Sequence, residues 1–153
     1  MNKEDYMLEA IKLANIAAAA DEVPVGALIV NPQNGEIIAS ASNQSAHNGD
    51  ATAHAEILAI QQACRKLKTN RLWGMDMYIT LEPCTMCAAA ISFARIEHVY
   101  FGAADTKGGA IISGVKFYEA ATCHHRPTVE GGICADLCGR ILKDFFAKKR
   151  KKS

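Results

Sequence analysis

Two short segments, HAE at 54–56 and PCTMC at 83–87, constrain the fold of this chain more than any other feature. Cys84 and Cys87 stand at i and i+3, so on a helix both thiols share one face. Pro83 suits the first turn of such a helix, where its missing N–H costs nothing. Thiolates are favoured near a helix N-terminus. Two of them at C-x-x-C spacing make half of a tetrahedral zinc site. A redox pair is the other use of that spacing, but it leaves HAE unexplained. On a regular helix His54 and Glu56 point roughly 200° apart, at ~100° per residue. They meet at one point only if the helix aims its N-terminus there. The turn-like NGDAT before His54, with Asp50 or Thr52 as cap, fits a helix that starts at that place. The fold is therefore expected to bring two helix N-termini to one metal ion.

The remaining pattern supplies the scaffold. Residues 3–20 read as an amphipathic helix with Tyr6, Leu8, Ile11, Leu13, Ala14 and Ile16 on its apolar side. VPVGALIV (23–30) reads as a buried strand, and Asn34-Gly35 is a hairpin signal that returns IIASAS antiparallel. Helical spacing resumes from Ala53 to about Leu67, with Ile57, Leu58 and Ile60 inward. DMYITL is a strand, CTMCAAAISFA a helix and HVYFGA a strand; residues 106–132 read as irregular loops, and a last helix runs from about Ala135. Alternation of strands and helices after one hairpin predicts an α/β fold, a three-layer α/β/α sandwich around a central mixed sheet. We expect one domain over 1–147 and a basic tail over 148–153. Both motifs fall where a connection enters a helix, the place where open α/β sheets form their ligand crevice.

Composition narrows the class. No apolar run reaches the ~18 residues of a membrane helix, and MNKEDYMLEA does not read as a signal peptide. No membrane association and a cytoplasmic location are expected, where thiols stay reduced. The six cysteines then read as ligands or buried thiols rather than a disulfide framework. Net charge is +1, yet KKRKK at 148–152 concentrates five basic residues and leaves the body net acidic. Such a tail is either a solvated terminus or a local anion contact.

Counting ligands separates the types of metal site. His54, Cys84 and Cys87 supply three. A structural zinc closes with four protein ligands, whereas a catalytic zinc keeps a position for water. Glu56 is better suited to carry protons beside that water than to complete the shell. Other candidate ligands come late in the chain: Cys123, His124, His125, Cys134 and Cys138. A second zinc among them and a closed structural site at the first remain the alternatives. Cys64 reads as core.

H-x-E followed by P-C-x-x-C resembles the signature of the zinc nucleobase deaminases. EVPVGALIV, DATAHAEILAI, YITLEPCTMCAAAISFARI, VYFGAAD and KDFF extend the resemblance, over about residues 4 to 150, to the bacterial tRNA-specific adenosine deaminases. A cytidine deaminase would carry CAE in place of HAE; a guanine deaminase shares HAE and differs in the flanking blocks. The resemblance implies a cytidine deaminase-like fold and hydrolytic conversion of the wobble adenosine of a tRNA anticodon to inosine. It implies one Zn2+ per subunit on His54, Cys84 and Cys87, with Glu56 moving the proton from water to the leaving ammonia. Asn43 would read the flipped base, beside Val25 and Ala53. Asp105, Lys107, Phe146, Lys149 and Arg150 would meet the anticodon stem-loop, and the protein would be a homodimer. The chain departs from the pattern in EAATCHHRPTVEGG, where Cys123-His124-His125 stand beside Arg126, and at Ala51 and Ala89. The rivals are a deaminase of a free base such as guanine and, in another class, a non-catalytic zinc-structured RNA-binding module.

Overall fold

The computed structural model describes residues 1–152, Lys152 by its backbone alone; Ser153, the end of the expected tail, lies outside the described residues. The first helix, α1, spans Lys3–Ala19 and starts on a capping box, with the Asn2 side chain accepting from Asp5 N and the Asp5 carboxylate accepting from Asn2 N. Strands β1 (Gly26–Asn31) and β2 (Glu36–Ser42) form the expected antiparallel hairpin, with a register irregularity between Ile29 and Val30. Gly35 takes the positive φ that the tight turn requires. A short helix, α2 (Ser45–Asn48), precedes α3 (Ala55–Leu67). Then come β3 (Asp76–Leu81), α4 (Thr85–Phe93) and β4 (His98–Ala103). A 3-10 turn (Phe117–Glu119), β5 (Thr128–Glu130) and α5 (Ala135–Lys152) complete the chain.

The sheet order is β2-β1-β3-β4-β5, with β1 antiparallel to β2 and β3, and β3, β4 and β5 parallel. It is the mixed sheet expected, covered on both faces. One core cluster packs Ala55, Ala59, Ile91 and Ile96 under α3 and α4; the other packs Met7, Ala10, Tyr78 and Cys138 under α1 and α5. No helix among the described residues is long and apolar enough to cross a membrane.

Several local expectations are corrected. Leu8 and Ile16 are exposed; α1 buries Tyr6, Ile11 and Ala14 as expected and adds Met7, Ala10 and Ala17, because small residues let it lie close on β1. α3 likewise seats Ala55, Ala59 and Ala63 innermost, with Ile57 half-buried. Two elements lie where loops were expected. α2 buries no residue, and β5 is three exposed residues paired parallel to β4, so neither carries a hydrophobic period. α5 runs on as helix through the basic residues 148–152.

Candidate active site

β3 ends at Leu81 and the chain turns through Glu82 and Pro83 into α4, whose N-cap is Cys84. Pro83 therefore precedes the helix instead of sitting in its first turn; it carries no N–H to satisfy, and its carbonyl accepts from Ala110 N. His54 is the N-cap of α3. Neither Asp50 nor Thr52 caps that helix, since the Asp50 carboxylate is occupied by Thr52 N and Oγ1 in the preceding turn. The two helix N-termini face each other as the motif spacing requires. His54 Nδ1 lies 3.7 Å from Cys84 Sγ and 3.5 Å from Cys87 Sγ, and one ligand atom from each residue lies within 4.8 Å of the others.

These distances test the metal fit. Bonds of ~2.3 Å to sulfur and ~2.0 Å to nitrogen at a tetrahedral angle place N and S about 3.5 Å apart, so the observed spacing matches a tetrahedral centre. Among the described residues no other group of three or more His, Cys, Asp and Glu converges in this way. The possible second zinc is not assembled: Cys123 packs under α4 on one face of the sheet, whereas Cys134 and Cys138 pack on the other. The loop of the late cysteine and histidines is instead tied by its own contacts. His125 Nε2 meets Ile96 O at 2.7 Å, and Arg126 donates to Tyr118 O and Ala120 O.

The electrostatics suit ligands and a proton carrier. Cys84 is pulled down to about 5, first by the Cys87 thiol that donates to it, against burial, and then by N–H groups at the open end of α4 and by His54. Cys87, the donor of that pair and buried, is pushed up. Glu56 is 4% exposed, and burial raises its carboxyl to about 7, with the charge of Cys84 adding to the rise. A group poised there takes and returns protons at neutral pH.

The site opens into a cleft of about 220 Å³ whose walls include Val25, Asn43, His54, Glu56, Cys84 and Asp105. Cys87 is buried and does not line it. Ala53 is buried behind His54 and contributes its carbonyl to Gln44 N. Lys107 is exposed on the loop after β4, where its N–H and that of Gly108 donate to the Asp105 carboxylate. Phe146, Lys149 and Arg150 lie on α5, outside the cleft lining. Phe146 is 43% exposed against a buried Phe145, and Lys149 pairs with Asp21 at 2.8 Å.

Two buried acids at the cleft escaped the sequence reading. Glu22 accepts from Ala46 N, His47 N, His47 Nδ1 and Asn43 Nδ2. Glu82 accepts from the N–H groups of Asp105, Ile111, Ile112 and Ser113 and from Ser113 Oγ. The signal available for Glu82 was an acid closing the apolar strand DMYITL. For Glu22, beside VPVGALIV, the sequence offers less, because its partners, Asn43, Ala46 and His47, lie in a short segment without hydrophobic periodicity.

Similarity to known proteins follows this geometry. Residues 1–150 match the family described as MafB19-like deaminase. The tRNA-specific adenosine deaminase of Agrobacterium fabrum is 50% identical over 145 residues, 95% of this chain and 94% of that one. The one from Bacillus subtilis is 45% identical over 149 residues, 97% of this chain and 91% of that one. A solved structure from studies of A-to-I editing by tRNA:A34 deaminases at the wobble position of transfer RNA superposes with a TM-score of 0.87. It is 50% identical, covering 90% of this chain and 99% of its own.

Proposed function

The chain belongs to the MafB19-like deaminases and, among them, to the tRNA-specific adenosine deaminase family; from that premise we propose that it hydrolyses the wobble adenosine of a tRNA anticodon to inosine. The observation that carries the mechanism is the convergence of His54, Cys84 and Cys87 at a cleft that His54, Cys84, Glu56 and Asn43 line. His54, Cys84 and Cys87 would hold one zinc ion per subunit. Three ligands would leave room for water, and the zinc would supply the Lewis acidity that lowers the pKa of water from ~16 to about 7. Glu56 takes the proton from the water that attacks purine C6 and delivers it to the departing ammonia. Its burial keeps the proton from bulk solvent between the two transfers.

The cleft, at about 220 Å³, is smaller than the ~300 Å³ where pockets for drug-sized molecules begin. One flipped base fits its scale, and the rest of the nucleotide stays at the mouth, which is what extrusion from an anticodon loop supplies. Asn43 has an amide that both donates and accepts, suited to a purine edge, while Val25 and the backbone at Ala53 shape the walls. Asp105 and Lys107 face the flanking nucleotides. Lys149, Arg150 and Phe146 on α5 present charge and an aromatic face to the stem-loop, and the phosphate contacts make binding salt-dependent. A homodimer completes this reading. Large apolar side chains left on the surface, Trp73, Phe93 and Val115, supply area of the kind a second copy covers.

The experiment is inosine formation by zinc-loaded protein on an anticodon stem-loop with adenosine at the wobble position, beside free adenosine, adenine, guanine and cytidine. Inosine in the stem-loop alone is the expected result. Deamination of free guanine with an inert stem-loop overturns the substrate assignment, and no turnover of any substrate by zinc-loaded protein favours the non-catalytic rival.

A further inference from the structure

Glu22 is 3% exposed and pairs with His47. A buried carboxylate is costly unless N–H groups replace the water it loses. Here all the replacements come from residues 43–47. Oε1 accepts from Ala46 N at 3.1 Å and from Asn43 Nδ2 at 3.4 Å. Oε2 accepts from His47 N at 2.7 Å and contacts His47 Nδ1 at 2.6 Å. The segment needs such a hold. α2 buries no residue, so no apolar packing fixes it. Its other backbone ties, Asn43 N to Val25 O and Gln44 N to Ala53 O, secure the β2 side; the Asn43 amide also donates to Ser45 Oγ at 3.4 Å, but Ser45 belongs to the same segment, so Glu22 is the partner that ties the amide to a separate part of the chain. Glu22 lies next to Val23, which lines the same cleft as Asn43.

We propose that Glu22 is a positioning residue for substrate recognition: its carboxylate holds the Asn43 amide and the 45–48 segment against the cleft, and so sets the angle at which Asn43 meets the base. The inference rests on the reading of Asn43 as a substrate contact. A glutamine cannot do the same, because its NH2 would face the donors of His47 or of Ala46 and Asn43. Recognition suffers before folding does, since a displacement of ~1 Å at a positioning group costs on the order of 100-fold in rate.

The test uses zinc-loaded full-length enzyme and the anticodon stem-loop, with Glu22→Gln, Asn43→Ala and the double variant. We expect Glu22→Gln to lower kcat/KM by roughly 10- to 100-fold, in part through a raised KM, with zinc content unchanged. A merely structural loss lowers the active fraction, and so kcat, without moving KM. The double variant should be no worse than Asn43→Ala alone, because the two changes remove one interaction. Losses that multiply in the double variant, or a Glu22→Gln enzyme with the parent's KM, overturn the proposal. If Glu22→Gln does not fold, Glu22→Asp, which keeps the charge but withdraws it by one methylene, carries the same expectation and the same refutation. An unaltered Asn43→Ala enzyme would refute instead the assignment of Asn43 on which the inference stands.

Discussion

Replacing Glu82 separates what its charge does from what its mere presence does. Its Oε2 accepts from Ile111 N, Ile112 N and Ser113 N at 3.0, 2.9 and 3.0 Å, and its Oε1 from Asp105 N and Ser113 Oγ, both at 3.0 Å. In Glu82→Gln the amide oxygen takes the position facing three N–H groups. The NH2 then faces Asp105 N and Ser113 Oγ. The hydroxyl can turn and accept, so the Asp105 N–H is left facing a second donor, an NH2 that also keeps water from it, at a cost of about 2 kcal/mol. In Glu82→Ala all four N–H groups lose their acceptor. The Ile111 bond is buried, whereas the other three are part-buried and within reach of water. That gives about 2 kcal/mol for Ile111 and somewhat under 1 kcal/mol for each of the rest, about 4 kcal/mol in all.

Urea unfolding at equal zinc saturation reads the difference. With a slope of about 2 kcal/mol/M, the midpoint should fall by roughly 1 M for Glu82→Gln and roughly 2 M for Glu82→Ala. The stem-loop KM should rise in the same order, because the loop so held carries Asp105 and Lys107. Equal midpoints for the two variants, or an alanine variant within about 0.3 M of the parent, would refute the reasoning that unpaired N–H groups set the cost.

Three further outcomes are expected. Glu56→Gln should keep its zinc and its stem-loop affinity while turnover falls by roughly 100- to 10,000-fold; single-turnover kinetics beside metal analysis checks this, and retained turnover removes Glu56 from the mechanism. Cys87→Ser should bind zinc substoichiometrically and lose it to a mild chelator that leaves the parent loaded, and full retention would contradict the assignment of the ligand set. Burial opposes ionisation of Glu22, but the N–H and imidazole donors of His47 and Ala46 outweigh it and hold the group below its ordinary 4.5. A depressed folded pKa means stability that is fully present above about pH 4.5 and lost as pH falls through the lowered value. The Tm of the parent should therefore drop more steeply on acidification below about pH 4.5 than that of Glu22→Gln. Parallel curves would show that the carboxylate is not the group responsible.

The difference between what the sequence revealed and what it hid follows from the range of each interaction. Cys84 and Cys87 are fixed relative to each other by one helical turn, and His54 by the start of another helix, so motif spacing alone predicts that they meet. The hairpin is equally local, since Asn34-Gly35 needs only its own backbone preference. The mixed sheet follows from the alternation of periodic segments. The walls of the cleft obey no such rule. Asn43 is held by an acid 21 residues away and Asp105 by one 23 residues away, in both cases through loops without periodicity. α2 and β5 stay invisible because they bury nothing, and burial is what writes a hydrophobic period into a sequence. For the same reason Leu8 and Ile16, apolar but exposed, mislead a pattern that equates apolar with inward.

Buried carboxylates on both walls answer a problem that apolar packing cannot solve. The 43–47 segment and the 105–113 loop leave a cleft open between them, so they cannot be wedged in place by large side chains. They also carry backbone N–H groups that no strand or long helix uses. A carboxylate satisfies several such groups at once and needs little volume to do so. Glu22 and Glu82 collect donors in this way, each from its own side of the cleft. Glu82 is continuous with Pro83 and Cys84, so the wall bearing Asp105 is referenced through two peptide bonds to the His54, Cys84 and Cys87 cluster. Glu22 is continuous with Asp21, which pairs with Lys149 on α5. The wall bearing Asn43 is thereby referenced to the helix that presents the basic residues.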